Sequence, residues 1–485
     1  MDSESHQLHF LLFPFMAQGH MIPMMDIARL LAHHGMIVTV ITTPLNAKRF
    51  TPTLSRAVES GLRIQFIELQ FPGEEAGLPK DCENLDMLPS LGSALEFFLS
   101  TSRLLEPVQR LLEELKPRPN CIISDMCLPY TAQVAKKLGV PRIAFNGFCC
   151  FSMLCVHCVY SSGILESVKA KSEYFVIPGL PHHIELTKEQ LPEAALPNAG
   201  AIHVQLEEAE KLTYGILINS FEELEAACVR EYKKVKRDKV WCIGPVSLYN
   251  KNSLDKVQRG NKASIEESEC FKWLDSKQPG SVIYVCFGSL CNLLTSQLIE
   301  LGLGLEASNR PFIWVLRGEG KSNEIEEWIV DGGFEERTKE RGLIIGGWAP
   351  QVLILSHPAI GGFLTHCGWN STLEGICAGT PMVTWPLFAD QFCNERLVVD
   401  VLKTGVKVGT EVTVRWGKEE LVGVLVKREA VARAIERLMD EGEVAEERRK
   451  RAKEFSIMAK NSMEEDGSSY LNMELLIQDI LQQKC

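Results

Sequence analysis

Short apolar runs alternate with amphipathic stretches along the first half of the chain. Residues 8–13 and 36–42 are apolar runs of strand length, and between them residues 23–32 repeat their apolar positions at helical spacing. Residues 64–69, 121–124, 142–145 and 215–219 continue the series of strands. Apolar strands separated by helices predict a parallel sheet covered on both faces. Residues 246–270 break the pattern, being polar with few apolar positions. The alternation then restarts, with strands expected at 282–287, 312–316, 342–345, 359–364 and 381–385. The pattern predicts an α/β chain of two domains, 1–245 and 271–485, joined by a linker at 246–270. Met473, Leu475, Leu476 and Ile480 mark an amphipathic terminal helix over about 460–485, able to pack back on the N-terminal domain.

Composition agrees with that division. A chain of 485 residues with 45% hydrophobic content holds two or three domains, each with its own core. The net charge of −12 argues against a nucleic-acid partner, which calls for a basic face. The run ERRKRAK at 447–453 reads as a solvated helix face. The acidic N-terminus lacks the basic and apolar regions of a signal peptide, and no apolar stretch is long enough to span a membrane. A cytoplasmic protein with no membrane span is expected. Sixteen cysteines, mostly inside apolar runs, suit reduced thiols in a core. Cys155 and Cys158 flank His157, but a structural zinc site needs a second, separated ligand pair, and none has that spacing. The segment NGFCCFSMLCVHCVY therefore reads as one apolar helix, core or pocket wall.

The stretch FLTHCGWNSTLEG, residues 363–375, carries more chemistry than a turn needs. Ser371 and Glu374 match the S-x-x-E capping box, a local device for starting a helix. That accounts for neither His366 nor Trp369. A helix N-terminus after a parallel strand presents free N–H groups and the positive end of its dipole to an anion. Asn370 and Ser371 add side-chain donors, and His366 reaches the same anion, so a diphosphate fits. Glu374 can accept two hydroxyl hydrogen bonds from a ribose. Upstream, Trp348 and Gln351 offer a flat aromatic and an amide for a base. Downstream, Asp390 and Gln391 suit sugar hydroxyls. The parts sum to base, ribose, diphosphate and sugar. Two other cofactor motifs drop out. Gly302, Gly304 and Ala307 match G-x-G-x-x-A, but inside a running helix rather than directly after a strand, and no P-loop sequence is present.

Residues 348–391 closely resemble, in length and order, the 44-residue signature box of the plant UDP-sugar-dependent glycosyltransferases that act on small molecules. The resemblance extends to FPFMAQGHMIPMMDIARLLA, to VCFGS and to the tail, and so covers essentially the whole chain. It implies the GT-B fold: two Rossmann-like parallel-sheet domains facing an interdomain cleft. It implies that Trp348, Ala349 and Gln351 hold the uracil and the nearby ribose, and that Glu374 binds ribose hydroxyls. Ser289, His366, Asn370 and Ser371 would bind the diphosphate, and Trp369, Asp390 and Gln391 the sugar. A terminal Gln391 is the pattern associated with UDP-glucose. In this family the capping box and the ligand site would coexist at Ser371 and Glu374.

His20 lies between the first strand and a helix whose Pro23 suits a first turn. The helix start there favours the neutral imidazole that a base needs. Asp125 ends the strand CIISD at the same sheet edge, where it can orient the ring. The resemblance makes His20 the catalytic base and Asp125 its partner. It implies direct displacement at the anomeric carbon, giving a β-glycoside from UDP-glucose, with no cofactor and no metal; no D-x-D motif is present. The acceptor pocket is expected around Phe15, Phe148 and Phe151 and near 80–95 and 185–205, lined for a small apolar molecule such as a triterpenoid, steroid or flavonoid. A monomer is expected. A UDP-sugar epimerase or hydrolase, or a non-catalytic sugar-nucleotide sensor, on the same fold are the alternatives.

Overall fold

The computed structural model describes residues 7–192, 200–316 and 323–483. The chain divides into two compact units that are not consecutive halves. One comprises Met1–Cys150, Asn198–Asn261 and Asn461–Cys485, the other Phe151–Pro197 and Lys262–Lys460. The segment Phe151–Pro197 thus belongs with the later part of the chain, and the terminal helix with the earlier part.

In chain order the strands are β1 His9–Phe13, β2 Ile37–Thr42, β3 Ile64–Glu68, β4 Cys121–Asp125 and β5 Arg142–Asn146. A short hairpin, β6 Phe175–Val176 and β7 Glu185–Leu186, precedes β8 Gly215–Ile218 and β9 Val240–Cys242. The first unit's sheet runs β3-β2-β1-β4-β5-β8-β9, parallel throughout. Phe10, Leu12, Val38, Val40, Ile123 and Phe145 form its core with Met24 and Leu31 of the helix Gln18–His33. Met473, Leu476 and Ile480 of the terminal helix Ser468–Gln482 complete that core. β9 escaped the sequence pattern because three residues are too few to establish a periodicity.

Two local expectations differ in detail. The first helix starts at Gln18, not near Pro23. Pro23 sits inside it, where the missing N–H costs one intrahelical bond. His20 is therefore in the helix's first turn and not in the preceding loop. The polar segment 246–270 is also more than a spacer. It contains the helix Ser253–Val257, and its side chains are pinned to the first two helices. Asp255 pairs with Arg29 at 2.5 Å and with Arg56 at 2.8 Å. Asp26 accepts from Asn250 at 2.8 Å and from Arg259 at 2.6 Å. The segment is polar because its contacts are ionic, so it reads as a linker by composition alone.

The second unit's sheet contains β10 Val282–Cys286, β11 Phe312–Leu316, β12 Gly342–Gly346, β13 Ile360–Thr365, β14 Met382–Thr384 and β15 Gly405–Lys407. Its order is β12-β11-β10-β13-β14-β15, again parallel. Ile283, Val285, Trp314, Leu364, Val383 and Trp385 fill the core. Gly302 and Gly304 lie inside the helix Thr295–Ala307. A Cβ at 302 would stand 2.7 Å from Trp328, and one at 304 only 2.6 Å from Val431. These glycines serve close packing, which explains the dinucleotide-like spelling. The helix Cys150–Ser162 buries Cys150, Cys155 and Cys158, and all cysteines among the described residues are free thiols. Among the described residues no helix is long and apolar enough to cross a membrane.

The clamp at Asp255 gives a stability prediction. Its carboxylate and the two guanidinium groups are largely buried, so removing the acid strands two cations. Asp255→Ala is expected to destabilise the first unit by about 3 kcal/mol. Thermal unfolding checks this; an unchanged midpoint would show that 246–261 is not held by these pairs.

Candidate active site

One group of candidate residues lies at the carboxyl edge of the first unit's sheet. Phe13 of β1 is in register with Ser124 of β4. That pairing sets Asp125, the last residue of β4, beside the turn that leads from β1 into the helix Gln18–His33. His20 Nδ1 lies 2.7 Å from Asp125 Oδ2. The carboxylate is wholly buried, while the His20 side chain is 23% exposed, so the pair has one end in the core and one open to a ligand. Asp125 Oδ1 accepts the Cys127 backbone N–H at 2.9 Å. Both carboxylate oxygens are thus engaged, and the acid is held as an acceptor for Nδ1–H. That tautomer leaves the lone pair on Nε2, where a base needs it. The Cys127 thiol also approaches; ligand atoms of His20, Asp125 and Cys127 all fall within 4.8 Å of one another. Burial, first, and the Asp125 charge push that thiol up, which keeps it neutral and a poor metal ligand.

Phe15 meets the His20 ring edge-on at 5.3 Å and stacks on Phe98 at 4.8 Å. Phe97 and Phe71 extend the cluster. Sequence reasoning named Phe15 but not the other three; the Phe97–Phe98 pair in the helix Ala94–Thr101 was the available signal. Phe148 is half-buried in the same unit. Phe151 falls in the second unit, fully buried, 6.5 Å from His182. Of the three expected pocket phenylalanines, Phe15 and Phe148 thus belong to the first unit and Phe151 to the second.

The second unit's group of candidate residues is built where β13 passes through His366, Cys367 and Gly368 into the helix Trp369–Ala378. Cys367 adopts a positive φ of 65°, which turns the chain sharply out of the sheet. His366 sits between two glycines. A Cβ at Gly288 would lie 2.6 Å from its ring, and one at Gly368 2.3 Å from Nε2. Gly288 also carries a φ of +72° and directly precedes the half-buried Ser289. Burial pushes the His366 imidazolium down to about 4, so the ring is neutral at physiological pH. Its Nδ1 is buried without a hydrogen-bond partner.

The capping box is not what starts this helix. Gly368 is the N-cap, with no side-chain cap bond, and Ser371 is the third helical residue. Ser371 Oγ and Glu374 Oε2 instead accept the two arms of the Gln351 amide, at 3.1 and 2.8 Å. Gln351 opens the helix Gln351–Leu355, and its carbonyl oxygen faces the Tyr284 hydroxyl at 3.4 Å. Three of the candidate residues are thereby one hydrogen-bonded set. Trp348 is half-buried and fixed through its backbone to Ser264, at 2.9 and 2.8 Å. Ala349 behind it is buried and its carbonyl accepts the Gln351 N–H at 2.8 Å. Trp369 is buried as the first helical residue, with the half-buried Asn370 next.

Asp390 and Gln391 open the helix Gln391–Arg396, both almost fully buried. Gln391 Oε1 accepts from the N–H groups of Leu387 and Phe388 at 2.8 and 3.1 Å, which leaves the amide NH2 as its donor end. Asp390 Oδ2 accepts from Asn394 at 2.7 Å, and Asn394 also donates to the Cys367 carbonyl at 2.8 Å. Asn394 is a linking residue that sequence reasoning missed. It ties the sugar end of the set to the His366 turn.

Comparison with known proteins follows this geometry. Residues 6–248 match the family described as "Glycosyltransferase, N-terminal domain", and residues 260–422 that described as "UDP-glucoronosyl and UDP-glucosyl transferase". The chain is 58% identical over 477 residues to UDP-glycosyltransferase 73C1 of Arabidopsis thaliana, covering 98% of this chain and 97% of that one. It is 55% identical over 482 residues to UDP-glycosyltransferase 1 of Barbarea vulgaris, covering 99% and 97%. Among solved structures, Glycyrrhiza uralensis UGT73P12, complexed with glycyrrhetinic acid 3-O-monoglucuronide, matches with a TM-score of 0.89 at 38% identity, over 99% and 96% of the two chains. Arabidopsis thaliana UGT89C1, complexed with UDP-L-rhamnose, matches with a TM-score of 0.76 at 30% identity, over 98% and 99%. The fold of the chain is accordingly GT-B.

The glycine pair around His366 supplies a test. Gly368 has φ −59°, so alanine there is conformationally free and acts only by pressing on the ring. Gly368→Ala is expected to weaken UDP binding about tenfold or more, equivalent to about 1.4 kcal/mol, with little loss of thermal stability. Calorimetric titration with UDP decides; unchanged affinity would detach His366 from the anion site.

Proposed function

The chain belongs to the plant UDP-glycosyltransferase family, and on that premise we propose that it transfers glucose from UDP-glucose to a hydroxyl of a small apolar metabolite, with inversion to a β-glycoside. The observation that carries the chemistry is the bond between His20 Nδ1 and the buried Asp125 carboxylate. With Nδ1–H committed, Nε2 takes the proton of the acceptor hydroxyl. The acceptor oxygen forms its bond to the anomeric carbon as the bond from that carbon to the UDP oxygen breaks. Asp125 stabilises the imidazolium that results, and His20 then releases the proton to solvent to restore the neutral base.

The donor reading rests on the second unit. The Gln351, Ser371 and Glu374 set offers acceptors for ribose hydroxyls, and the His366 nitrogen with the N–H groups of the helix Trp369–Ala378 offers donors to the diphosphate. Glucose is the preferred donor on the ground that Gln391 presents its amide NH2 beside the Asp390 carboxylate, giving a donor and an acceptor for a hydroxyl-rich sugar. The choice is not automatic within the fold. UGT89C1 binds UDP-L-rhamnose, and Phytolacca americana UGT2 was solved with UDP-2fluoro-glucose and pterostilbene. The Phe15, Phe97 and Phe98 cluster beside His20 supports an apolar acceptor, of triterpenoid, steroid or flavonoid type. The glycyrrhetinic acid derivative bound by UGT73P12 and the quercetin bound by UGT89C1 are consistent with acceptors of that size. Free buried thiols support a cytoplasmic site of action.

Two experiments test this reading. With UDP-glucose and an acceptor found by mass-spectrometric screening, His20→Ala is expected to lower kcat by about 10²–10⁴ while donor affinity stays nearly constant. Asp125→Ala should do comparable harm, and the double variant little more, because the two act as one unit. Near-normal turnover of His20→Ala would remove the base assignment, and UDP-glucose consumption without acceptor would favour a hydrolase or epimerase. In the second experiment, activity is expected to persist in excess chelator, since neutral donors meet the charge of the leaving diphosphate. Complete loss, restored by Mg²⁺, would show the opposite.

A further inference from the structure

The largest charge behind the catalytic pair is one that no motif names. Arg142 opens β5, next to β4, and is 2% exposed. A buried guanidinium is costly unless its donors are satisfied and its charge is balanced. Its donors are satisfied by neutral groups. Nε donates to Thr131 Oγ1 at 2.9 Å, one terminal nitrogen to Thr213 Oγ1 at 2.6 Å, and the other to the Asp125 backbone carbonyl at 3.4 Å. Thr131 Oγ1 bonds in turn to Ser124 Oγ at 2.8 Å, and Ser124 Oγ donates to the same Asp125 carbonyl at 3.1 Å. Among the described residues no carboxylate forms an ion pair with Arg142. The wholly buried carboxylate of Asp125 is the negative charge it faces, one strand away, and that carboxylate's hydrogen bonds go to His20 and Cys127.

We propose that Arg142 is a positioning residue of the reaction, a buried cation that balances the charge of the Asp125 carboxylate while leaving both of its oxygens to His20 and the Cys127 N–H. A guanidinium bonded directly to the carboxylate would compete with His20 for it. Set behind the backbone carbonyl and anchored on two threonine hydroxyls, it acts through charge alone. Burial pushes the Arg142 guanidinium down to about 10, against the Asp125 charge, which pulls it back up, and it is still charged at any working pH. The titratable groups facing this cluster are His20 from the first helix, Asp125 at the end of β4, and Cys127 in the turn after it. The Cys127 thiol is pushed up by burial and by Asp125, so it stays neutral.

The sign follows. Removing a cation raises the proton affinity of the pair. The acidic limb of the kcat profile, which reports the pair gaining a proton, moves to higher pH. The inference rests on His20 and Asp125 being the base and its partner. Arg142→Met and Arg142→Gln are each expected to move the limb up by about one pH unit, whereas Arg142→Lys restores it. A loss of kcat with an unmoved limb would make Arg142 merely structural and overturn the proposal. Stability of Asp125→Asn gives a second measurement that needs no change at Arg142. The substitution is nearly isosteric, yet it strands the guanidinium, so Tm should fall by several degrees, and less so in the Asp125→Asn/Arg142→Met double variant. An unchanged Tm for Asp125→Asn would also overturn it. Failure of the underlying reading is distinguishable, since His20→Ala and Asp125→Ala would then retain turnover.

Discussion

A parallel strand can rejoin its sheet only by leaving at the carboxyl edge and returning through a crossover, usually a helix. That constraint gathers the ends of strands and the starts of helices on one edge, and both halves of the site are made of such junctions. In the first unit the end of β4 supplies Asp125, and the helix start after β1 supplies His20. In the second unit the turn after β13 supplies His366, and the helix that follows supplies Ser371 and Glu374. The register of the strands decides which residues meet: Phe13 opposite Ser124 brings Asp125 to His20. A one-residue slip would put every side chain of β4 on the other face and separate the pair.

Much of this was legible because the periodicity of buried strands is strong. The strands expected at 312–316 and 142–145 appear with boundaries shifted by at most one residue. What failed did so for identifiable reasons. β9 and β15 have three residues each, too short for a pattern. Ser371 and Glu374 spelled a capping box, but spelling does not reveal that the helix already begins at Trp369. Pro23 looked like a first-turn residue because it could be one; tertiary packing of the apolar face carries the helix through it. The segment 246–270 lacked apolar residues, and ionic contacts such as those of Asp255 leave no hydrophobic trace. Gly288 and Gly368 were passed over because a sequence cannot show that a histidine ring fills the space beside them.

The two halves handle charge in opposite ways. Around Asp125 the charges are fixed and buried, with an imidazole at the open end and a guanidinium behind. Around His366 the protein offers dipoles and neutral donors, none of the gathered residues being a lysine or arginine. That suits the two tasks. A base must gain a proton during the reaction and needs a standing counter-charge to receive it. On the proposed function a diphosphate must bind and then depart, and a neutral histidine with helix-end N–H groups would hold it without an ion pair that would slow release. Glu395, one strand from this turn, is pushed up to about 7 chiefly by burial despite its 2.7 Å bond from Thr384.

The same distinction explains why the donor half is spelled so much more plainly than the acceptor half. Ribose and diphosphate are recognised through directed hydrogen bonds, and each bond demands a residue of one type at one place. Glu374 is reached from Gln351, and Asp390 from Asn394, by amides within 2.8 Å, so the residue types and their spacing are constrained together. Such constraints compress into one short box. An apolar acceptor is recognised mainly by the area it buries, which is non-directional. Phe15, Phe71 and the Phe97–Phe98 pair come from three separate segments, and any of several side chains of similar size could replace one of them. No spacing rule follows from that requirement. An acceptor of the proposed apolar class would therefore be selected by the shape of an aromatic wall, whereas the proposed chemistry is written in the order of residues along two strand-to-helix turns.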